Sequence, residues 1–296
     1  MTTSPPAAQS ESRTKVCALI SRLEKQFAGA GVDSPGLDAQ LLLAMVLECD
    51  RAHLHAHPEK VVSAEELARV EALAQRRAGR EPMAYIMGER EFWSMPFLVS
   101  PDVLIPRSES ELLVERAAAL LGKGGKSRIL DAGCGSGAVG LAIASELPQA
   151  HITLLDLCPR ALEVARRNAK KFDLERRTRL VASDLFHALA GGEEFDLIAS
   201  NPPYVATGEL GGLMPEVSSF EPRLALDGGV DGMDLIRRII GEAPSYLVCG
   251  GFLLIEMDPR QMAGAEAASQ RSGKYRAPRR HKDLAGRDRV LELVRV

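Results

Sequence analysis

Apolar residues in the first quarter of the chain recur with the period of an α-helix. The clearest stripe is formed by Val16, Leu19, Ile20, Leu23 and Phe27. Ser34-Pro35 and Ser63-Ala64-Glu65-Glu66 have the pattern of helix starts, a cap followed by proline in one case and a capping box in the other. We therefore predict a small helical domain over residues 13–80. Residues 1–12, rich in Pro, Ser and Thr, are predicted to be a disordered lead-in.

The pattern changes to short extended segments over residues 81–106. Glu91-Phe92-Trp93 and Phe97-Leu98-Val99 are joined through Ser94-Met95-Pro96. Two short extended segments around a brief connection indicate a hairpin-like connector.

From residue 107 onward, helical and strand patterns alternate, beginning with a helix at Glu111–Leu121. Strands are predicted at Arg128–Asp131, Ile152–Asp156, Arg179–Ala182 and Asp196–Ser200, with two more near Gly251–Glu256 and Val290–Val296 bracketing a loop-rich tail. Such alternation is typical of α/β proteins. We predict a doubly wound, mostly parallel Rossmann-like sheet over residues 107–296, preceded by the small N-terminal helical domain.

Composition narrows the class of protein. The 296 residues carry a net charge of -3 and five scattered cysteines without a C-x-x-C pair, so neither a disulfide framework nor a zinc site is indicated. His53, His55 and His57 alternate as on one face of a strand, without carboxylates or cysteines to complete a metal site, and we expect no metal. No secretory or membrane-spanning pattern is present, so we expect a soluble, cytoplasmic protein.

The charge distribution gives little reason to expect direct binding of nucleic acid. The tail has one basic run, made of Arg271, Lys274, Arg276, Arg279, Arg280 and Lys282. This run would suit RNA or an acidic partner, but it also fits a solvated loop.

A glycine-rich loop follows the first predicted strand of the α/β region. It consists of Gly133, Cys134, Gly135, Ser136 and Gly137. Glycines permit positive φ and close backbone approach, and the following helix presents its N-terminus to a ligand. Asp156 ends the next strand, where a carboxylate can accept hydrogen bonds from ribose hydroxyls. With Gly140 the loop also matches the dinucleotide fingerprint, so it fits a dehydrogenase as well as a methyltransferase.

Ser183-Asp184-Leu185-Phe186 follows the third strand. Asp184 is placed to accept a hydrogen bond from an adenine amine, with Leu185 or Phe186 covering the ring. An acidic residue in such a turn also fits a simple helix cap.

Asn201-Pro202-Pro203-Tyr204 ends the fourth strand, which neighbours the first strand at the switch point of a doubly wound sheet. The tetrapeptide should therefore face the glycine loop, and we expect Asn201 to touch the cofactor too. A conjugated nitrogen that attacks a methyl group needs hydrogen-bond acceptors, which the Asn201 side chain and the Pro202 carbonyl supply. Proline holds the residue before it extended, and Tyr204 offers a flat face for stacking. We predict an enzyme that uses S-adenosylmethionine, whose cationic sulfonium is the electrophile.

Two other enzyme classes fit parts of this pattern. An amino-methyltransferase acting on DNA or RNA faces the same conjugated nitrogen but normally carries a basic recognition region. A nicotinamide-dependent oxidoreductase shares the glycine loop.

The ordered set of motifs resembles the HemK/PrmC family, the peptide chain release factor N5-glutamine methyltransferases. The resemblance rests on Asp38-Ala39-Gln40-Leu41-Leu42-Leu43, Gly88-Glu89-Arg90-Glu91-Phe92-Trp93, Leu104-Ile105-Pro106-Arg107, Asp131 to Gly137, Asn201 to Tyr204, Phe220-Glu221-Pro222, Ala225-Leu226-Asp227-Gly228-Gly229 and Lys282-Asp283-Leu284-Ala285-Gly286.

The resemblance implies methylation of the glutamine in the Gly-Gly-Gln loop of class 1 release factors, with the helical domain docking that protein. By position it implies that the glycine loop, Asp156 and Leu185 line the cofactor site and that residues 201–204 hold the substrate amide. We further expect a monomer.

The chain departs from the family where proline and threonine often occupy the positions of Ser108 and Ser110, and an aromatic residue that of Leu185. Arg107-Ser108 is also similar to a sister family that methylates a glutamine of a large-subunit ribosomal protein. Phe220-Glu221-Pro222 resembles the release-factor branch, which we therefore favour.

Overall fold

The computed structural model describes residues 14–296, so the predicted lead-in over residues 1–12 lies outside the described residues. The chain divides into two units between Met87 and Gly88. The boundary falls inside the predicted connector: residues 81–87 belong to the first unit and residues 88–106 to the second.

The first unit is helical. Its elements are α1 (Val16–Gly29), α2 (Pro35–Val46), α3 (Arg51–Ala56), α4 (Ala64–Ala78) and α5 (Met83–Met87). The stripe predicted on the first helix packs in one apolar cluster with residues of α2 and α4, where four of its five residues are buried and Ile20 is partly buried. The buried Arg77 Nε donates to Asp38 Oδ2 at 2.7 Å, which explains why an acidic residue begins an otherwise apolar helical segment.

The alternating histidines do not lie on a strand, so the prediction from their spacing is wrong. His53 and His55 lie in α3, whose start is fixed by Asp50 because its Oδ1 accepts from the His53 amide at 2.7 Å. A side-chain cap at the helix start therefore prevails over the alternating pattern.

The second unit opens with a hairpin of β1 (Glu89–Phe92) and β2 (Met95–Leu98). The connection is shorter than predicted, because Trp93 and Ser94 both take positive φ, 52° and 55°, and form a two-residue turn. Neither residue type signals such a turn, so the sequence pattern extended the first strand into it.

The remaining elements build one α/β domain. The helices are α6 (Glu111–Leu121), α7 (Ala138–Glu146), α8 (Pro159–Lys171), α9 (Pro215–Ser218), α10 (Asp234–Glu242) and α11 (Met262–Ser272). The strands are β3 (Arg128–Ala132), β4 (His151–Asp156), β5 (Thr178–Ala182), β6 (Phe195–Ser200), β7 (Leu247–Glu256), β8 (Arg279–Lys282) and β9 (Asp288–Val294).

These seven strands form a sheet in the order β5-β4-β3-β6-β7-β9-β8. The first five are parallel, and β9 is antiparallel to both of its neighbours. One apolar cluster contains residues of α6, α7 and α8, and a second contains residues of α10 and α11. The predicted fold class is thus confirmed, whereas the tail contains the edge strand β8, whose charged sequence hides it from an apolar pattern.

Gly140 lies where α7 crosses the sheet, and we expect alanine there to destabilise the protein. An added Cβ would lie 2.5 Å from Leu154 Cδ2 and 3.0 Å from Asp131 Cβ. Overpacking of this kind costs about 1–3 kcal/mol of unfolding free energy, measurable by urea denaturation. Gly241→Ala in α10 is the matched control: beyond its chain neighbours and its own helix backbone, no atom lies within 4 Å of its added Cβ, so stability should hold or rise. Equal unfolding midpoints for the two variants would contradict this packing argument.

Candidate active site

The glycine loop and the Asn201–Tyr204 tetrapeptide follow two neighbouring strands of the sheet. β3 and β6 are parallel neighbours, with Ile129 opposite Leu197 and Asp131 opposite Ala199. The buried Ser200 hydroxyl donates to the Ala132 carbonyl at 2.6 Å and fixes the ends of the two strands to each other. The predicted adjacency of glycine loop and tetrapeptide is therefore present in the fold.

A cavity of about 410 Å³ lies at these strand ends. Its wall includes the predicted residues Gly133, Cys134, Gly135, Ser136, Asp156, Asp184, Leu185, Asn201 and Pro203. Gly137, Pro202 and Tyr204 are not part of the wall. The structure thus brings most of the predicted cofactor residues together with the first residue of the tetrapeptide.

The glycine loop owes its shape to three positive φ angles, 76° at Gly133, 53° at Gly135 and 78° at Gly137. The Gly133 and Cys134 amides donate to the Leu155 carbonyl at 2.8 and 2.9 Å. Because these two amides already donate within the protein, they fix the path of the loop and are not free to bind a ligand. Gly137 is buried and precedes α7, so it serves the turn behind the cavity wall.

Asp156 ties the loop to the next strand–helix connection. Its Oδ2 accepts from the Gly135 amide and its Oδ1 from the Cys158 amide, both at 2.8 Å. Burial raises its pKa, and the amide hydrogen bonds oppose that rise. Each carboxylate oxygen has a second lone pair, so Asp156 can also accept from a ligand hydroxyl in the cavity.

Asp131, behind the loop, is a buried carboxyl that the sequence reasoning did not single out. Its Oδ2 accepts from the Gly140 amide at 2.8 Å. Burial, reinforced by the charge of Asp156, raises the pKa of Asp131 to about 7. This side chain therefore fixes the first turn of α7 to the end of β3, on the two sides of the glycine loop.

The segment after β5 places Asp184 and Leu185 on the cavity, but not Phe186. Phe186 is buried and stacks on Tyr246 with ring centroids 5.0 Å apart, so of the two predicted apolar covers it is Leu185 that lines the cavity. Leu185 has a positive φ of 45°, a conformation that is costly for a side-chain-bearing residue. Asp184 makes no capping hydrogen bond and instead accepts from Arg238 Nη1 at 2.9 Å.

Asn201 is held by Ser110, which also lines the cavity, and through it by Glu256; the sequence analysis assigned neither side chain a role. Its Nδ2 donates to Ser110 Oγ at 2.9 Å, and Ser110 donates to Glu256 Oε2 at 2.6 Å. Tyr204 donates from its hydroxyl to Glu256 Oε1 at 3.4 Å. Burial raises the pKa of Tyr204 above its ordinary value, so this hydroxyl remains a donor. No sequence signal pairs Ser110 with Glu256, because 146 residues separate them.

The rest of the tetrapeptide is fixed by its backbone. Pro202 is buried, and the Tyr204 carbonyl accepts from Gln261 Nε2 at 2.8 Å. The ring of Tyr204 is only partly buried and packs on the apolar cluster that contains α10 and α11. Its predicted stacking on a substrate stays a prediction.

Arg107 joins the segment before α6 to the Phe220-Glu221-Pro222 motif. Its Nη2 donates to Glu221 Oε1 at 2.5 Å, and the Ile105 amide donates to Glu221 Oε2 at 3.4 Å. Burial raises the pKa of Glu221, while the Arg107 guanidinium opposes that rise. Glu111, at the start of α6, instead accepts a hydrogen bond from the Trp93 amide at 2.8 Å.

Asn168 is a further positioning side chain that the sequence did not reveal. It is completely buried, accepts from the Leu98 amide at 2.7 Å, and donates to the carbonyls of Leu98 and Ser136. One side chain thus fixes the hairpin and the glycine loop relative to each other.

Across residues 14–296, no group of three or more His, Cys, Asp or Glu side chains is arranged to hold a metal ion. In the same part of the chain, no helix is long and apolar enough to span a membrane.

A segment of each unit matches a known family model. Residues 18–88 match the PrmC N-terminal domain, and residues 108–213 match the methyltransferase small domain. The fold is similar to that of the T. thermophilus 16S rRNA N2 G1207 methyltransferase, solved with AdoMet and guanosine (TM-score 0.51, 19% identity, 70% of this chain and 50% of that one).

Two curated relatives carry the same name. The release factor glutamine methyltransferase of Vibrio cholerae is 41% identical over 92% of this chain and 94% of its own length. That of Geobacter sulfurreducens is 43% identical over 78% of this chain and 79% of its own length. Identity at this level over most of both chains, together with the site geometry, shows that this chain belongs to the release factor glutamine methyltransferase family.

Proposed function

We propose that this protein transfers a methyl group from S-adenosylmethionine to the side-chain amide nitrogen of the glutamine in the Gly-Gly-Gln motif of class 1 release factors. The observation that carries the proposal is the orientation of Asn201. Its NH₂ group is bonded to Ser110, which leaves its carbonyl oxygen for the cavity that the glycine loop also lines. An acceptor in that position suits a substrate nitrogen that carries hydrogens.

The cavity fits an adenosine-type cofactor in size and chemistry. Its volume of about 410 Å³ lies in the range of small-molecule sites. Asp156 would accept from the ribose hydroxyls, and Leu185 with the glycine loop would enclose the rest of the nucleoside. When bound, S-adenosylmethionine supplies an electrophilic methyl group.

The chain's own residues then act on the glutamine amide. The lone pair of an amide nitrogen is conjugated with its carbonyl, so the nitrogen becomes nucleophilic only as that conjugation is lost. Positive charge develops on the nitrogen and its hydrogens during attack, and preorganised acceptors stabilise that charge. We assign this role to Asn201 Oδ1 and to the carbonyl of Pro202, with Pro203 and Tyr204 lining the substrate position.

The release factor is favoured as substrate by the family and by the segment around Glu221. The ion pair between Arg107 and Glu221 fixes Phe220-Glu221-Pro222, the motif that resembles the release-factor branch, beside a cavity whose wall includes Arg107 and Pro222. We assign docking of the release factor body to the helical unit, and we propose a monomer that acts in the cytoplasm.

The charge arrangement does not favour RNA or DNA as substrate. In the described chain, Arg280 and Lys282 of the basic tail run are neutralised by carboxylates of the same protein. Arg280 pairs with Glu266 and Asp288, and Lys282 pairs with Asp288 at 2.9 Å. Cations already paired with carboxylates offer little attraction for a phosphate backbone.

The proposal is tested by transfer of labelled methyl groups from S-adenosylmethionine. Purified protein is offered a class 1 release factor, a large-subunit ribosomal protein and DNA in separate reactions. We expect label in the release factor at a rate far above that in the others. Label confined to the ribosomal protein or to DNA would overturn the substrate assignment.

A further inference from the structure

A chain of three polar side chains runs from the tetrapeptide into the core of the α/β domain. Asn201 donates to Ser110 over 2.9 Å, and Ser110 donates to Glu256 over 2.6 Å. Ser110 is 3% exposed and Glu256 is fully buried at the end of β7. Buried polar groups that all have partners specify one arrangement, since any other leaves a group unpaired at substantial cost.

The direction of these hydrogen bonds follows from the number of protons available. An ionised Glu256 has no proton and can only accept. The single hydroxyl proton of Ser110 is therefore committed to Glu256, and the Ser110 oxygen must accept from its other neighbour. Only the NH₂ group of Asn201 can donate to it, so the Asn201 carbonyl oxygen is turned away from Ser110.

We propose that Ser110 and Glu256 are positioning residues that select the amide orientation of Asn201 in which its carbonyl oxygen serves as the acceptor for the substrate nitrogen. The inference rests on the proposed function and deepens it. A rotated Asn201 amide would present its NH₂ group to the substrate's own NH₂ group, and two donors would then face each other.

Protonation of Glu256 removes the constraint. A protonated carboxyl can donate to Ser110, whose hydroxyl proton is then free to turn toward Asn201. The groups that face Glu256 are Ser110 and Glu109 before α6, Tyr204 in the tetrapeptide and Arg289 on β9. Burial of the carboxyl affects the pKa of Glu256 more than any of these groups and raises it to about 7. The proton is therefore bound below about pH 7, and methyl transfer should increase as the pH rises through that value.

The test compares Ser110→Val with Ser110→Thr, two side chains of nearly equal shape that differ by a hydroxyl. We expect the Thr variant to keep kcat within a few-fold of wild type. The Val variant should lose about 10- to 100-fold in kcat, since misplacing a catalytic group by about 1 Å can cost about 100-fold. The dissociation constant for S-adenosylmethionine, measured by calorimetry, should be the same for both. The Val variant should also lose the increase of kcat near pH 7.

A second readout does not depend on the substrate. In protein labelled with ¹⁵N-asparagine, the side-chain amide signal of Asn201 should shift with pH near 7 in wild type and Ser110→Thr, and not in Ser110→Val. Equal activity of the Val and Thr variants, or an Asn201 signal that follows pH alike in both, would overturn the positioning role. A wild-type protein that shows the shift but never methylates a release factor would instead contradict the proposed function.

Discussion

Replacing Asn201 with alanine is expected to lower the rate of methyl transfer by about 100-fold or more, the usual cost of removing one preorganised polar group from an active site. The substitution removes the carbonyl oxygen proposed to accept from the substrate nitrogen and leaves Ser110 without the donor that now lies 2.9 Å away. The fold should survive, because Asn201 follows β6 and the end of that strand is held by Ser200. The rate is measured with labelled cofactor at saturating release factor.

Asn201→Asp separates chemistry from shape. The carboxylate has nearly the same size as the amide but no NH₂ group to donate to Ser110, and it brings a charge close to Glu256. We expect its activity to be as low as that of the alanine variant. An Asp variant with near wild-type activity would show that a simple acceptor is sufficient and that its orientation by Ser110 is not needed.

Asp156→Ala is expected to weaken binding of S-adenosylmethionine by roughly 10- to 100-fold. Hydrogen bonds to a charged group contribute about 1.5–3 kcal/mol, and about 1.4 kcal/mol corresponds to a tenfold change in affinity. The substitution removes the proposed ribose acceptor and also releases the Gly135 and Cys158 amides that Asp156 now holds at 2.8 Å. Isothermal titration calorimetry gives the dissociation constant directly.

Asp184→Ala provides the matched control, since Asp184 lines the same cavity. Its carboxylate is half exposed and already bonded to Arg238, so a smaller loss of affinity is expected. A cofactor affinity that is unchanged in Asp156→Ala, or reduced more in Asp184→Ala, would contradict the assignment of Asp156 as the main polar contact.

The parts of this structure that could be predicted from sequence depend on local patterns. Alternating helices and strands predicted a parallel sheet, and the strand order of such a sheet placed the glycine loop beside Asn201. The motifs lie at the strand ends, where local sequence also marks the turn. The positions of the backbone loops in the site therefore followed from pattern and topology alone.

The parts that could not be predicted depend on contacts between distant segments. Ser110 and Glu256 are 146 residues apart, and Arg107 and Glu221 are 114 apart. Nothing in one segment indicates which polar residue of another will be buried against it. The same limit applies to Leu185, whose positive φ is imposed by its surroundings and contradicts its intrinsic preference.

Local patterns also failed where a polar sequence adopts regular structure. β8 is made of four basic residues and pairs through its backbone with β9, so an apolar strand pattern does not detect it. The histidines of α3 alternate like a strand but follow a capping aspartate.

Mass spectrometry of a class 1 release factor tests the central claim most directly. The factor is incubated with the protein and S-adenosylmethionine, digested, and the peptide containing Gly-Gly-Gln is fragmented. The proposed function predicts the mass of one added methyl group on the glutamine side chain, and none with the Asn201→Ala protein. An unmodified glutamine under conditions in which the same protein methylates another substrate would contradict it.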